Sequence, residues 1–453
     1  MRVSIIGTGY VGLVSGVCFA EKGHEVVCVD VDQSKVDKIN QGISPFYEPG
    51  LNELLERNIH SGLKATIDFR QAILDTELSL IAVGTPFDGK EVDLTYVKQV
   101  AQQIGEALRE KSTYHLVVVK STVVPGTTDQ VVLPILEAAS GKKAGVDFGV
   151  GMNPEFLTEG EAIDDFMYPD RIVLGGIDER SIDQLDALYT GFEGVDRLRT
   201  NNSTAEMIKY TSNSLLALLI SFSNEVGNLC AAIGNTDIVE VMKGVHNSRY
   251  LTTVLPNGGA SGSGEPVRVV PPITSFLAAG CGFGGSCLPK DVKALIAHGE
   301  KYQSPMPLLD AVIRVNQSQP QQVIARLNKH FPSLDGVKIA ILGLSFRPNT
   351  NDMRETPAIP LIKALKAQNA TLKAYDPVAN SEAAKLLAPD EVELCDSLQS
   401  AIEGVDAIVL VTRWDEFRSV PDLIAQLNPQ PVFVDGRRML DKHSIERYEG
   451  IGL

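Results

Sequence analysis

Paired cysteines are what this sequence most conspicuously lacks. Its six cysteines (Cys18, Cys28, Cys230, Cys281, Cys287, Cys395) are scattered, with no C-x-x-C pair and no framework spacing. That argues for a reducing compartment and against a zinc site. The seven histidines form neither an H-x-x-x-H nor an H-E-x-x-H pattern, so no metal is expected. Basic residues are in deficit, 41 Lys and Arg against 57 Asp and Glu, for a net charge of −16. This disfavours nucleic acid and anionic membrane as partners, and an anionic ligand would need basic residues concentrated locally. No signal peptide precedes the first strand pattern, and no run reads as long enough to span a bilayer. A cytoplasmic location is expected.

What is present is ordinary for a globular protein: 453 residues, 44% hydrophobic and 22% charged, enough for two or three domains with buried cores. The apolar run 3–6 leads into Gly7-Thr8-Gly9-Tyr10-Val11-Gly12, an apolar helix pattern, and a second strand, 25–29, ending at Asp30. This is the dinucleotide fingerprint in its required setting of strand, tight turn, helix, strand and acid. Gly7 allows the turn, Gly9 lets a pyrophosphate approach, and Gly12 lets helix and strand pack. Asp30 takes the ribose hydroxyls and repels a 2′-phosphate, so NAD is expected rather than NADP. Strand patterns at 78–83, 116–119 and 147–150 then end in loops bearing Thr85, Thr122 and Glu155. In a doubly wound sheet such loops supply ligand groups.

The longest helical pattern, 203–233, is apolar nearly all round and carries Glu206, Lys209 and Asn213 on one stripe, either as salt-bridged bystanders or pointing together into a cleft. The segment 255–272, rich in Gly, Ser and Pro, reads as a long surface loop, either a lid or a disordered insertion. The stretch 282–291, GFGGSCLPKD, delivers one cysteine, Cys287, to the start of a helical pattern. A thiol there is acidified by the helix N-terminus and by Lys290 and Lys293, and glycines beside it bring N–H groups towards an oxyanion. Glycines around an aromatic ring do not read as core packing, so Cys287 reads as a nucleophile rather than a small buried hydrophobe. Residues 293–317 look helical. From about 337 a second α/β pattern repeats the order of the first without G-x-G-x-x-G, with arginines (Arg347, Arg413, Arg437, Arg438) at its strand ends. That suggests a phosphate-bearing ligand other than a dinucleotide.

These residues resemble one family, the UDP-glucose/GDP-mannose 6-dehydrogenases, over essentially the whole chain. The resemblance is carried by Gly7–Gly12, Val83-Gly84-Thr85-Pro86, Lys120-Ser121-Thr122, the run 153–160 (NPEFLTEG), Glu206-Met207-Ile208-Lys209-Tyr210 and the cysteine loop. It implies two Rossmann-like doubly wound parallel-sheet α/β domains joined by a long central helix that forms a dimer. The divisions would be 1–200 for NAD, 201–318 for the central part with the cysteine loop, and 319–453 for the nucleotide sugar. The activity implied is oxidation of a nucleotide sugar's C6 alcohol to a carboxylate with two NAD and one water. Cys287 resembles the nucleophile that forms a thiohemiacetal and then a thioester. Lys209 resembles the oxyanion cation, with Asn213 as its partner. Thr122, Glu155 and Asp291 resemble the set that activates water and relays protons. The cofactor set implied is Gly7, Gly9, Tyr10, Val11, Gly12, Asp30, Lys35, Thr85, Thr122, Glu159 and Arg354. Phe156, Leu157, Glu159, Lys209, Asn213, Phe276, Leu277, Gly284, Phe346, Arg347 and Arg437 resemble substrate contacts. Arg347 stands where a lysine is common, which keeps the charge but not the geometry.

The chain departs from the family between 249 and 277, where the long insertion leaves Arg249 or Arg268 to serve base recognition. Pro169-Asp170-Arg171-Ile172-Val173 resembles the UDP-glucose branch, whereas 142–150 and Ser286-Cys287-Leu288-Pro289 also resemble the GDP-mannose branch. The N-acetylhexosamine branch usually departs from Asn153-Pro154-Glu155-Phe156-Leu157 and ranks third, behind UDP-glucose and GDP-mannose. Two rivals are a two-electron hydroxyacid or polyol dehydrogenase, which would make one NADH, and a sugar-nucleotide sensor that has lost turnover.

Overall fold

The computed structural model describes residues 1–59, 61–255 and 267–453. They fall into two compact units, Met1–Ser212 with Ala297–Gln303, and Asn213–Ile296 with Ser304–Leu453.

The first unit is built on eight strands: β1 (Arg2–Ile6), β2 (Glu25–Val29), β3 (Leu63–Thr66), β4 (Leu78–Ile81), β5 (His115–Val119), β6 (Phe148–Met152), β7 (Arg171–Gly176) and β8 (Asp196–Thr200). Their order is β3-β2-β1-β4-β5-β6-β7-β8. All neighbours are parallel except β6 and β7, so the last two strands run against the rest. Apolar residues fill consecutive positions because both faces are covered. In β1, Val3 and Ile5 enter one core cluster and Ile6 the other; in β5, Leu116 and Val118 part from Val117 and Val119 in the same way. Helix α1 (Tyr10–Glu21) follows the first turn. The strand order reverses between β1 and β4, where doubly wound sheets bind their ligands.

A 32-residue helix, α2 (Asn202–Ile233), belongs in part to each unit. Among the described residues it is the one helix long and apolar enough, by length and composition, to cross a membrane. That corrects the expectation of no such run: serines, threonines and asparagines interrupt the apolar stretch without lowering its average enough. Its polar residues Glu206, Lys209 and Asn213 are buried, each against a partner.

In the second unit, β9 (Thr253–Leu255) and β10 (Val267–Val269) pair as an antiparallel ribbon. The expected surface loop therefore begins and ends in regular structure; residues 256–266 lie outside those described. The helical stretch expected at 293–317 is two helices, α3 (Leu288–Lys301) and α4 (Pro307–Leu327). Gln303 takes a left-handed φ of 55°, and Pro307, with no N–H to give, starts a helix rather than continuing one. The second sheet holds β11 (Lys338–Leu342), β12 (Thr371–Tyr375), β13 (Glu393–Leu394), β14 (Ala407–Leu410), β15 (Val432–Asp435) and β16 (Tyr448–Gly450). It is parallel throughout, in the order β13-β12-β11-β14-β15-β16.

Candidate active site

The turn after β1 is shaped by its glycines. Gly7 has φ +99°, and a Cβ there would lie 2.7 Å from the Ala82 carbonyl oxygen; one on Gly12 would lie 1.9 Å from that of Gly7. At Gly9 an added Cβ would meet nothing within 4 Å, so the start of α1 has open space beside exposed N–H groups. That is the cradle a pyrophosphate needs. Asp30, at the end of β2, accepts from the Thr8 N–H and hydroxyl (2.9 and 2.5 Å) and from the Asp32 N–H (3.0 Å). Burial works to raise its carboxyl, but these donors and Lys35, 3.9 Å away, bring it below the usual range. Asp30 is thus ionised and partly occupied in holding the turn, while Lys35 stands beside it. The Thr85 hydroxyl donates to the Thr122 carbonyl at 2.8 Å, tying the end of β4 to that of β5. These residues fit a dinucleotide.

Beyond β6, Glu155 is buried and pairs with Lys209 of α2 at 3.0 Å. Desolvation pushes its carboxyl up, but Lys209, the Leu157 N–H (2.7 Å) and Lys120 together hold it below its ordinary value. Phe156 lies between two cations, with Arg171 3.9 Å and the Lys209 ammonium 5.5 Å from its ring centre. Lys120 is a residue the sequence reading left without a role. It is buried, donates to the Asn153 side-chain oxygen at 2.9 Å, and burial lowers it to about 8. Two ammonium groups thus serve one carboxylate, leaving local positive potential in an acidic protein. The signal was Lys120-Ser121-Thr122 at a strand end, but a lysine there reads equally well as solvent-exposed. Glu206 does not join Lys209. Its carboxylate accepts from the N–H groups of Gly126 (2.6 Å) and Thr128 (2.8 Å) and from the Thr128 hydroxyl (2.7 Å).

In the second unit Cys287 directly precedes α3, and its carbonyl accepts the Asp291 N–H at 2.8 Å. Among the described residues it is the one cysteine of six that is not buried. Its sulfur lies 3.5 Å from the Ser286 hydroxyl. Asp291, fully buried, accepts from the Asn213 amide at 2.6 Å and meets Lys290 at 2.5 Å. Lys293 faces Glu355 at 3.2 Å, so both lysines expected to acidify the thiol are paired with carboxylates. The glycines also have a packing role that the sequence pattern does not show. A Cβ on Gly284 would come 2.3 Å from the Glu355 carbonyl oxygen, and one on Gly285, with φ +87°, 2.7 Å from the Phe346 ring. They let the loop pack against its own chain, and Phe283 is buried among them.

Of the expected substrate contacts, Gly284 thus lies in this loop against Glu355, and Phe346 packs on the loop at Gly285. Arg437 donates to the carbonyls of Val411 (2.5 Å) and Gly282 (2.6 Å), so it braces the loop. Arg438 belongs to a buried pair with Asp237 at 2.8 Å, a structural role. Arg354 lies against Asp352 at 2.6 Å. Leu277 is buried and its carbonyl takes a hydrogen bond with His246 at 3.1 Å, while Phe276 and Arg347 are half-buried. Arg249 is exposed against Tyr250, and Arg268, also exposed, donates to the Asn247 carbonyl at 3.0 Å.

The sheet, the open glycine turn and the acid of β2 define a dinucleotide-binding oxidoreductase. Comparison with known proteins sharpens that class. The NAD binding domain of the UDP-glucose/GDP-mannose dehydrogenase family matches residues 1–193, its central domain 203–318, and its UDP binding domain 340–442. UDP-glucose 6-dehydrogenase AglM of Haloferax volcanii is 40% identical over all of both chains. GDP-mannose 6-dehydrogenase of Pseudomonas aeruginosa is 38% identical over 97% of this chain and 96% of its own. The solved UDP-glucose dehydrogenase of Pyrobaculum islandicum superposes with a TM-score of 0.89 at 36% identity, covering 100% of this chain and 97% of that one. The chain belongs to the UDP-glucose/GDP-mannose dehydrogenase family. It is an NAD-dependent nucleotide-sugar 6-dehydrogenase.

Proposed function

We propose that the protein oxidises the C6 alcohol of UDP-glucose to the carboxylate of UDP-glucuronate through a covalent cysteine adduct. The observation that carries this reading is Cys287, the accessible thiol placed ahead of α3 with the buried Asp291–Asn213 pair one turn on. NAD, when bound, is the oxidant: a hydride leaves C6 in each of two steps, so that CH2OH and one water become a carboxylate with two NADH and three protons. The Cys287 thiolate adds to the intermediate aldehyde carbon and holds it as a thiohemiacetal. Loss of the second hydride leaves a thioester, and water cleaves the C–S bond to return the thiolate. Lys209 stabilises oxygen charge as it develops, Glu155 and Thr122 direct the water, and Asp291 with Asn213 takes part in proton relay. Gly7, Gly9, Tyr10, Val11, Gly12, Asp30, Lys35, Thr85, Thr122, Glu159 and Arg354 serve the cofactor. Phe346, Arg347 and Arg437 serve the nucleotide, and Phe156 to Glu159 the sugar.

UDP-glucose is favoured because 169–173 resembles that branch. GDP-mannose is the alternative, since relatives of similar identity bear that name. We assign the functional divisions 1–200, 201–318 and 319–453, a homodimer through α2 or a higher homo-oligomer, and a cytoplasmic location in keeping with six unpaired cysteines. The test is NADH release with NAD and, in turn, UDP-glucose, GDP-mannose and UDP-N-acetylglucosamine. Two NADH per UDP-glucose and an acid product are expected. One NADH and a carbonyl product would replace this reading by a two-electron dehydrogenase.

A further inference from the structure

Glu48 has no place in the mechanism above, yet it is a buried carboxylate joined to the first residue of α1, beside the cofactor turn. It follows Phe46-Tyr47 and is 5% exposed. One carboxylate oxygen accepts from the Tyr10 hydroxyl at 2.5 Å and from the Gly160 N–H at 2.7 Å. The other accepts from the Ala162 N–H at 2.8 Å. Three donors from two distant segments thus converge on one buried group.

Each segment carries a separate part of the site. Tyr10 is the first residue of α1, one position past the open Gly9, and its ring packs on Phe46 at 5.3 Å. Gly160, with φ +90°, closes the loop that carries Glu155, Phe156, Leu157 and Glu159. The upstream half of that loop is fixed by the Leu157 N–H on Glu155 within it (2.7 Å) and by the Thr158 N–H on Asp165 of the following helix (2.8 Å). The downstream half is held by Glu48 at Gly160 and Ala162, with the Gly160 N–H also 3.2 Å from the Tyr10 hydroxyl and the Glu161 N–H on the Thr158 carbonyl at 3.0 Å. The two carboxylate oxygens of Glu48 offer acceptors to all three donors at once. The Tyr10 phenol, its pKa raised by burial and then by the Glu48 hydrogen bond, stays protonated and donates.

We propose that Glu48 is a positioning residue: it couples the cofactor turn at Tyr10 to the 155–161 loop, so that a dinucleotide on the turn also sets the loop. The inference rests on the proposed function for what the loop does, but not for the coupling itself. A purely structural Glu48 would only cap the short helix Ala162–Met167.

The experiment uses the full chain, as wild type, Glu48→Gln and Glu48→Asp. Glutamine keeps the shape but turns an N–H against one of the donors; aspartate keeps the charge on a shorter stem. With NADH as probe, amide hydrogen exchange over 155–162 is expected to slow in wild type. In Glu48→Gln it is expected to stay unresponsive although NADH still binds with near wild-type affinity. In turnover, Glu48→Gln is expected to lose about 10²-fold in kcat with KM for NAD little changed, as for a displaced substrate-positioning loop. Glu48→Asp should lie between the two proteins. Equal protection by NADH in wild type and Glu48→Gln, or an unchanged kcat, overturns the proposal. So does failure of both variants to fold, which would make Glu48 a scaffold residue. If only the glutamine variant fails to fold, a lowered kcat with retained NADH affinity in Glu48→Asp supports it, and a wild-type kcat overturns it. Should wild type make no NADH from any nucleotide sugar, the functional reading falls while the exchange comparison still judges Glu48.

Discussion

Lys209 shows how a single charge can serve two ends. Its ammonium neutralises the buried Glu155 at 3.0 Å, and the proposed mechanism asks it to meet an oxygen whose charge grows during reaction. Such a group acts on the transition state more than on bound alcohol. Lys209→Ala is therefore expected to lower kcat about 10²–10³-fold with little change in KM, as removal of an oxyanion donor does. A loss confined to KM would place it in ordinary binding. The same substitution strands a buried carboxylate at a cost of about 3–5 kcal/mol, so melting curves must accompany the kinetics. Cys287 gives the sharper test. Glu155 and Lys209 would be equally useful to a non-covalent dehydrogenase, whereas a thiol would not. Cys287→Ser supplies a poorer leaving group, so it is expected to accumulate an ester of the sugar nucleotide, visible as added mass in the intact protein. Cys287→Ala should fail to complete the four-electron oxidation, and steady acid production by it would end the covalent mechanism.

At the scale of elements, α2 is held and used along different faces. Near its start, Glu206 clasps the turn 126–128. Burial outweighs its three donors and raises it to about 7 from 4.5. The native state thus binds this proton more tightly than the unfolded chain does. The associated stabilisation is complete below pH 4.5 and is lost as pH rises through about 7. The melting temperature of wild type minus that of Glu206→Gln should accordingly fall between pH 5 and 8, and a flat or rising difference would contradict the assignment. Further along, Leu215, Phe222 and Leu229 recur every seven residues and are 45%, 49% and 60% exposed. Stacked apolar side chains at that period form a seam for a second helix. Phe222→Glu with Leu229→Glu is expected to halve the particle mass in light scattering. An unchanged mass would overturn the assignment of this face as a subunit contact.

For the whole molecule, the question is how much was written in the chain itself. The glycine turn, Asp30 and the two strand–helix series were legible because they depend on local rules: φ of a glycine, close approach of backbone, and apolar residues at successive positions of strands covered on both faces. The long helix was legible for the same reason. Local pattern also put Thr85, Thr122 and Glu155 at strand ends. It could not reveal that Lys120, Glu48 and Glu206 are buried, since nothing in a sequence separates a charged residue in water from one whose partners come from 33, 112 or 80 positions away. It did not show that the loop glycines also make room for the chain itself, because room for a ligand and room for the Glu355 carbonyl demand the same absent Cβ. Nor did it show that Lys293 faces a carboxylate, Glu355, that arrives by folding, whereas the partner of Lys290 is its own neighbour, Asp291. Residue types and their order thus determined the architecture and the cofactor. Tertiary structure alone decided which charges are spent on each other and which remain for a ligand, because that depends on desolvation and on partners far apart in sequence.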